Sequence, residues 1–329
     1  FDSASKRAIN TLPNNGVLTL IDIGAAGEIE PRWKNFSKNI KYIGFEPDQR
    51  SRNSLKNTEN DFLNYQILPF ALSNSNQSVE LNLCREPKTS SLFQPNKNFL
   101  NRFPDVQRYE ILKTEILECS TLDEIILPEI DFIKIDIQGA EHDVLKGARN
   151  SLQLALGLEL EVEFLQLYKE QPLFGDICNE LSNNGFEFFD FVNLQRWQRD
   201  ILNGHGQCIF GDALFLKSPE YLEIESLDIL KISSYLSILV IYRRFDLIEK
   251  VIEALNPESH SHFIDFEIAY KIKIINPKTG RCINKPKEKT QKTIKQPKKT
   301  VSKNLVSNYH QKQDIPDGKL FNEALEYIR

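Results

Sequence analysis

Short apolar runs alternating with amphipathic stretches organise the first two thirds of the chain. The runs at 17–23 (VLTLIDI), 41–46 (KYIGFE) and 65–72 (YQILPFAL) predict three buried strands. Between them, a helical stretch carries Pro31 in its first turn, where proline is tolerated, and a polar helix is expected over 48–60. Strand, helix, strand, helix, strand implies a parallel sheet with right-handed crossovers. Pro69 lacks an N–H, so the third strand belongs at an edge or carries a bulge. Alternating patterns at 79–84 and 111–119 predict two further strands. The loop between them begins at 85–97, with Pro87, Ser90, Ser91 and Pro95, and has the length of many functional lids.

The most informative stretch is 131–148, DFIKIDIQGAEHDVLKGA. Phe132, Lys134 and Asp136 alternate with Ile133, Ile135 and Ile137, so two polar residues share one face near the strand's C-terminal end. A strand buried in a parallel sheet is normally apolar on both faces, and ligands of open α/β sheets bind beyond the C-terminal strand ends. Gln138-Gly139-Ala140 makes a tight turn, and Glu141 opens a helix with Val144, Leu145, Ala148 and Leu152 on its apolar face. Lys134 could simply pair with an acid and Glu141 favour a helix N-terminus. Three charged groups converging on one turn favour a functional reading.

Further on, 158–164 (LELEVEF) predicts another sheet strand with Glu159, Glu161 and Glu163 on one face. Three acids there cannot all be buried unpaired, and Glu163, nearest the C-terminal end, is expected to reach the cleft. A helix over 173–183 stops at Asn184-Gly185. Strands at 186–191 and 208–216 are expected to be joined by a long polar loop holding Trp197 and His205. Helical spacing over 226–255 predicts two short helices, and 321–328 a last turn or two.

Composition adds a charge asymmetry. Residues 276–314 hold eleven Lys and Arg against two acids, a net of +9. Residues 1–275 hold 28 basic and 41 acidic residues, a net of −13, a poor match for nucleic acid. The basic segment, poor in apolar residues, is expected to be a disordered linker. The five cysteines (Cys84, Cys119, Cys178, Cys208 and Cys282) are scattered, with no CxxC spacing, which argues against a disulfide framework or a zinc site and suits a reducing, cytoplasmic compartment. No stretch reaches the ~18 apolar residues of a membrane span, and no signal peptide is evident.

The chemistry begins at Asp22-Ile23-Gly24-Ala25-Ala26-Gly27, where Gly24 and Gly27 allow close approach of backbone to a ligand. Glu46 closes the second strand, where an acid can accept hydrogen bonds from ribose hydroxyls. An adenosine-containing ligand is indicated. The GxGxxG spacing of dinucleotide enzymes is absent, which favours phosphate-free S-adenosyl-L-methionine over a nicotinamide cofactor. For transfer to a hydroxyl, Asp136, Glu141, His142, Glu163 and His205 are candidate bases, with Lys134 countering negative charge. No metal is assigned.

The stretches IDIGAAGEIEPRW, IGFEPD, SSLFQPN, TLDEI, DFIKIDIQGAEHDVLKGA, LELEVEFLQLYKEQPLF and GDALF resemble the FkbM family of S-adenosylmethionine-dependent methyltransferases, in family order over about 18–216. Ala26 stands where that family commonly has Asn. The resemblance implies an α/β class I, Rossmann-like fold: a mostly parallel seven-stranded sheet with helices on both faces and an antiparallel last strand. It also implies O-methylation of a sugar, glycan or small-molecule hydroxyl. The expected catalytic residues are Lys134, Asp136, Glu141 and Glu163. The expected cofactor residues are Asp22, Gly24, Ala25, Gly27, Glu46, Asp48, Ala71 and Asp136. The expected divisions are a methyltransferase domain (1–219), a helical extension (220–275), the basic linker (276–314) and a short helical tail (315–329). A non-catalytic cofactor-binding scaffold and a nicotinamide-dependent dehydrogenase are the alternatives.

Overall fold

Among the described residues, ten strands form two sheets: β1 Leu18–Ile23, β2 Ile40–Phe45, β3 Asn64–Leu68, β4 Ala71–Leu72, β5 Gln77–Cys84, β6 Ile111–Ser120, β7 Phe132–Ile135, β8 Gly157–Glu163, β9 Glu187–Trp197 and β10 Gln207–Leu216. The computed structural model describes residues 3–27, 29–55, 61–125, 127, 129–199 and 204–273. All fall within one compact unit, Phe1–Arg281. The expected linker and tail, and residues 56–60 of the expected polar helix, lie outside the described residues.

The main sheet has seven strands in the order β3-β2-β1-β7-β8-β10-β9. Its first five strands run parallel, and β10 is antiparallel to both neighbours, as the resemblance implied. β3 is an edge strand. Pro69 and Phe70 end it, and the chain leaves for the small sheet β4-β6-β5, so the single strand expected over 65–72 is two strands in different sheets.

Alternation sorts the two faces of the main sheet. Ile21, Ile23, Ile133, Ile135, Leu158 and Leu160 pack with Val144, Leu145, Ala148 and Leu152. The helix expected from Glu141 breaks into Glu141–Lys146 and Arg149–Leu154. At the break, a Cβ on Gly147 would stand 2.2 Å from the Ser73 carbonyl oxygen, so the backbones touch there. Leu18, Leu20, Phe132 and Leu214 face the other layer, which includes helices Ser3–Asn10, Ile229–Ile241 and Phe245–Glu253. Ile229–Ile241 is buried almost all round, which explains its nearly uniform apolar sequence. The expected loop after residue 191 is instead strand: β9 continues to Trp197, keeping pace with β10 through register shifts.

Candidate functional site

The strand order reverses between β1 and β7, the point where a crevice opens in α/β sheets. A cavity of about 570 Å³ lies there, lined among others by Gly24, Glu30, Glu46, Asp48, Ala71, Lys88, Arg108, Lys134, Asp136, Gln138, Glu161, Trp197 and Phe210.

Register builds the floor. Asp22 pairs with Gly44 on one side and with Lys134 on the other, and Lys134 pairs with Glu159. Lys134 Nζ lies 3.6 Å from Asp22 Oδ1 and 4.0 Å from Asp136 Oδ2. Burial alone would lower the Lys134 ammonium, but Asp22 and then Asp136 overcome this and hold it above the ordinary lysine value. The other Asp22 oxygen accepts the Tyr42 hydroxyl at 2.6 Å. Glu159, 1 % exposed, is met by Arg32 at 2.7 Å and by the Tyr242 hydroxyl, and burial still pushes it up to about 7. Glu30, Glu159 and Asp212 bring carboxylate oxygens within 4.8 Å of one another, yet Arg32 already bonds both Glu30 and Glu159.

Gly24 and Glu46 form the end nearest β2. Gly24 has φ +84°, and a Cβ there would lie 1.9 Å from the Asp136 carbonyl oxygen, so only glycine lets the ends of β1 and β7 approach this closely. Gly24 and Ala25 both donate backbone N–H groups to the Phe45 carbonyl. Glu46 lines the cavity and accepts the Asp48 amide at 2.7 Å; burial pushes it up to about 7. Asp48 is itself clasped by Arg50. Of the residues named from the sequence, Gly24, Glu46, Asp48, Ala71, Lys134 and Asp136 line the cavity. Asp22, Ala25 and Gly27 do not line it: Asp22 supports Lys134 from below, and Gly27 sits beside Lys88.

Two of the expected catalytic acids lie elsewhere. Glu141 is 2 % exposed and turned under the loop, where its Oε1 accepts the amides of Ile137 at 2.9 Å and Gly139 at 3.2 Å. It braces a turn in which Gln138 and Gly139 both have positive φ. Glu163 lies opposite Phe210, faces Gln171 and Glu141, and does not line the cavity. The segment after β8 is tied to residues 95 and 96: Leu167 accepts the Asn96 amide, and Tyr168 bridges to Pro95. His205 is exposed and away from the cavity, and His142 pairs with Glu180.

Glu161 is the member of the acidic row that reaches the cavity. Burial, then Asp136 and Glu163, push it well above the ordinary carboxylate range. Gln138 ties it to Asp136: its Nε2 donates to Asp136 Oδ1 at 2.9 Å and lies 3.4 Å from each Glu161 oxygen. Its Oε1 in turn accepts the Tyr168 hydroxyl at 3.2 Å. The sequence flagged the row but pointed to Glu163, which instead meets Gln171 on the segment after β8.

The expected lid does line the cavity, through Glu86, Pro87, Lys88, Thr89, Ser90 and Leu92. It is anchored beneath: Ser91 Oγ donates to the Gln138 carbonyl at 2.6 Å and the Tyr168 hydroxyl to the Thr89 carbonyl at 3.0 Å. Among the described residues, no helix is long and apolar enough to cross a membrane.

The Methyltransferase FkbM domain model matches residues 22–188, just over half of the chain. A methyltransferase FkbM from Methylobacillus flagellatus aligns at 14% identity and TM-score 0.36, covering 61% of this chain and 44% of that one. Magnesium protoporphyrin IX methyltransferase from Synechocystis, with bound SAM, aligns at 10% identity and TM-score 0.35, covering 61% and 71%. A TehB-like SAM-dependent methyltransferase from Corynebacterium glutamicum aligns at 13% identity and TM-score 0.31, covering 65% and 88%. The chain therefore spans less than half the length of the Methylobacillus protein. No curated protein matches it.

Proposed function

The chain belongs to the FkbM methyltransferase family, and from this we propose that it transfers a methyl group from S-adenosylmethionine to a hydroxyl of a sugar, glycan or other small-molecule natural product. The cofactor, when bound, supplies a methyl group on a positively charged sulfur. The residues present suit it. Glu46 is a buried carboxylate at the end of β2 that lines the cavity, and it would accept the ribose hydroxyls. The Gly24 backbone, Asp48 and Ala71 would complete the pocket, with Asp136 favouring nearby positive charge. Asp22, Ala25 and Gly27 would act by holding the loop.

Glu161 carries the reading. Like Glu46, it is a raised carboxylate on the cavity wall; it lies one strand from Asp136 and is held by Gln138. A carboxylate with an elevated pKa is a stronger proton acceptor than an ordinary one, and a positioned base contributes roughly 10²–10⁴-fold. Glu161 would take the hydroxyl proton as the oxygen attacks, and Lys134 would stabilise the forming negative charge. Glu30, Glu46, Asp48, Glu86, Asp136 and Glu161 outnumber Lys88, Arg108 and Lys134 on the lining, an unfavourable surface for a polyphosphate backbone.

The test is methyl transfer from isotopically labelled S-adenosylmethionine to pooled glycans and metabolites, read by mass. Wild type should label a hydroxyl, and E161Q should lose about 10²-fold or more in turnover with cofactor affinity retained. Label on nitrogen or carbon alone, or full activity in E161Q, would overturn the reading.

A further inference from the structure

The wall of the cavity opposite Glu46 is built differently. Arg108 lies in a short turn, Val106–Tyr109, and its guanidinium lies 5.0 Å from the Tyr109 ring centre and 4.6 Å from that of Trp197. Trp197 packs edge-on against Phe103 and Phe210. The Arg108 backbone is fixed as well, its carbonyl accepting from Glu86 N at 3.1 Å and Thr89 Oγ1 at 3.0 Å. The side chain is thus held by rings, yet its Nε is buried without a hydrogen-bond partner. No carboxylate among the described residues forms an ion pair with it, whereas Lys134 has Asp22 and Asp136.

The Arg108 side chain hydrogen-bonds the Tyr109 hydroxyl, and the remaining donors of its planar fork suit a carboxylate or phosphate. Sheet order shows what that fork would serve. Glu46 follows β2, Glu161 is on β8, and Trp197 and Phe210 are on β9 and β10. Phe210 lies opposite Glu163, two residues beyond Glu161. Along the cavity the order is therefore the cofactor acid, the proton acceptor, then Arg108. A group on Arg108 belongs to the molecule that presents its hydroxyl to Glu161, at the end away from Glu46.

We propose that Arg108 is a specificity residue that receives an anionic group, carboxylate or phosphate ester, of the methyl acceptor, so that the acceptor is an acidic rather than a neutral sugar or metabolite. This rests on the reading of the cavity as a methyl-transfer site. Arg108 acts on substrate choice, and Glu161 on the reaction.

The experiment titrates the full chain with D-glucuronate, D-glucose 6-phosphate and D-glucose, following tryptophan fluorescence, in wild type, R108Q and R108K. Trp33, the other tryptophan, is buried in the core and serves as an unresponsive background. At least one anionic probe should bind wild type while glucose does not, and the two anions separate a carboxylate site from a phosphate site. R108Q should weaken that binding by about 10- to 100-fold, the loss of a charge-assisted hydrogen bond, with R108K intermediate. Equal binding of glucose and the anions, no binding of any probe, or wild-type binding by R108Q would overturn the inference. The wild-type comparison alone decides if R108Q does not fold. S-adenosylmethionine affinity is measured on the same samples. Cofactor binding without anion selectivity would sink this inference and spare the methyl-transfer reading. Anion selectivity without cofactor binding would leave Arg108 an anion site but overturn the methyl-transfer reading and, with it, the assignment of that anion to a methyl acceptor.

Discussion

Lys134 and Asp22 face each other across the β1–β7 pairing, 3.6 Å apart, with Glu159 beside Lys134 on the next strand. The lysine places a positive charge between the Asp22 and Asp136 carboxyl groups. Lys134→Met keeps the bulk and removes the charge. Breaking a buried pair from one side costs about 3–5 kcal/mol, so the urea midpoint of this variant should fall steeply. An unchanged midpoint would mean that water reaches the acids.

Glu46 makes stability depend on pH. Burial raises it from 4.5 to about 7 in the folded chain. Between those values the unfolded chain has released its proton and the folded chain has not, so stability falls as pH rises through this window. Glu141 and Glu159, each also pushed up to about 7, act in the same sense. Glu46→Gln should flatten the decline by up to about 1.4 kcal/mol per pH unit. Unfolding of both proteins between pH 5 and 7 is the measurement, and parallel slopes would contradict it.

On the proposed reading, the same carboxylate would tie cofactor affinity to pH. Ribose hydroxyls donate best to the ionised form, so binding below about pH 7 should release a proton from Glu46. Calorimetry of S-adenosylmethionine binding in buffers of different ionisation enthalpy would detect that proton. Glu46→Gln should abolish the release, and Glu46→Ala should weaken binding by about 1.5–3 kcal/mol.

Glu141 and Glu161 should separate cleanly. Glu141 Oε1 serves two turn amides, so Glu141→Ala strands them and should cost about 1–3 kcal/mol of stability. Glu141→Gln keeps an acceptor oxygen and should leave turnover near wild type. A collapse of turnover in a stable Glu141→Gln protein would move the base from Glu161 to Glu141.

Gly24→Ala combines a left-handed backbone with a clash on the Asp136 carbonyl. The backbone strain alone costs about 1–3 kcal/mol, and the contact between the ends of β1 and β7 must open, so cofactor binding should fall with stability. Gly175, with nothing near its missing Cβ, is the control. Gly175→Ala should stabilise by about 0.4–1 kcal/mol, as thermal unfolding would show.

Much of this was legible in the sequence because it is local. Alternation over residues 132–137 assigns Lys134 and Asp136 to one face whatever surrounds the strand. Glu46 and the Gly24 turn stand where strands end, and Pro69 marks an edge because it lacks a donor. Placement within the acidic row is another matter. Glu159, Glu161 and Glu163 are alike in sequence and share a face of β8, yet their partners come from different parts of the chain. Arg32 and Tyr242 take Glu159, Gln138 reaches Glu161, and the segment around Gln171 encloses Glu163. Arg108 and Trp197 are 89 residues apart and meet only because β9 runs on beside β10. Periodicity fixes which face a side chain takes; which of those side chains meets solvent, a counter-charge or a ring depends on long-range packing, and only the tertiary structure decided that.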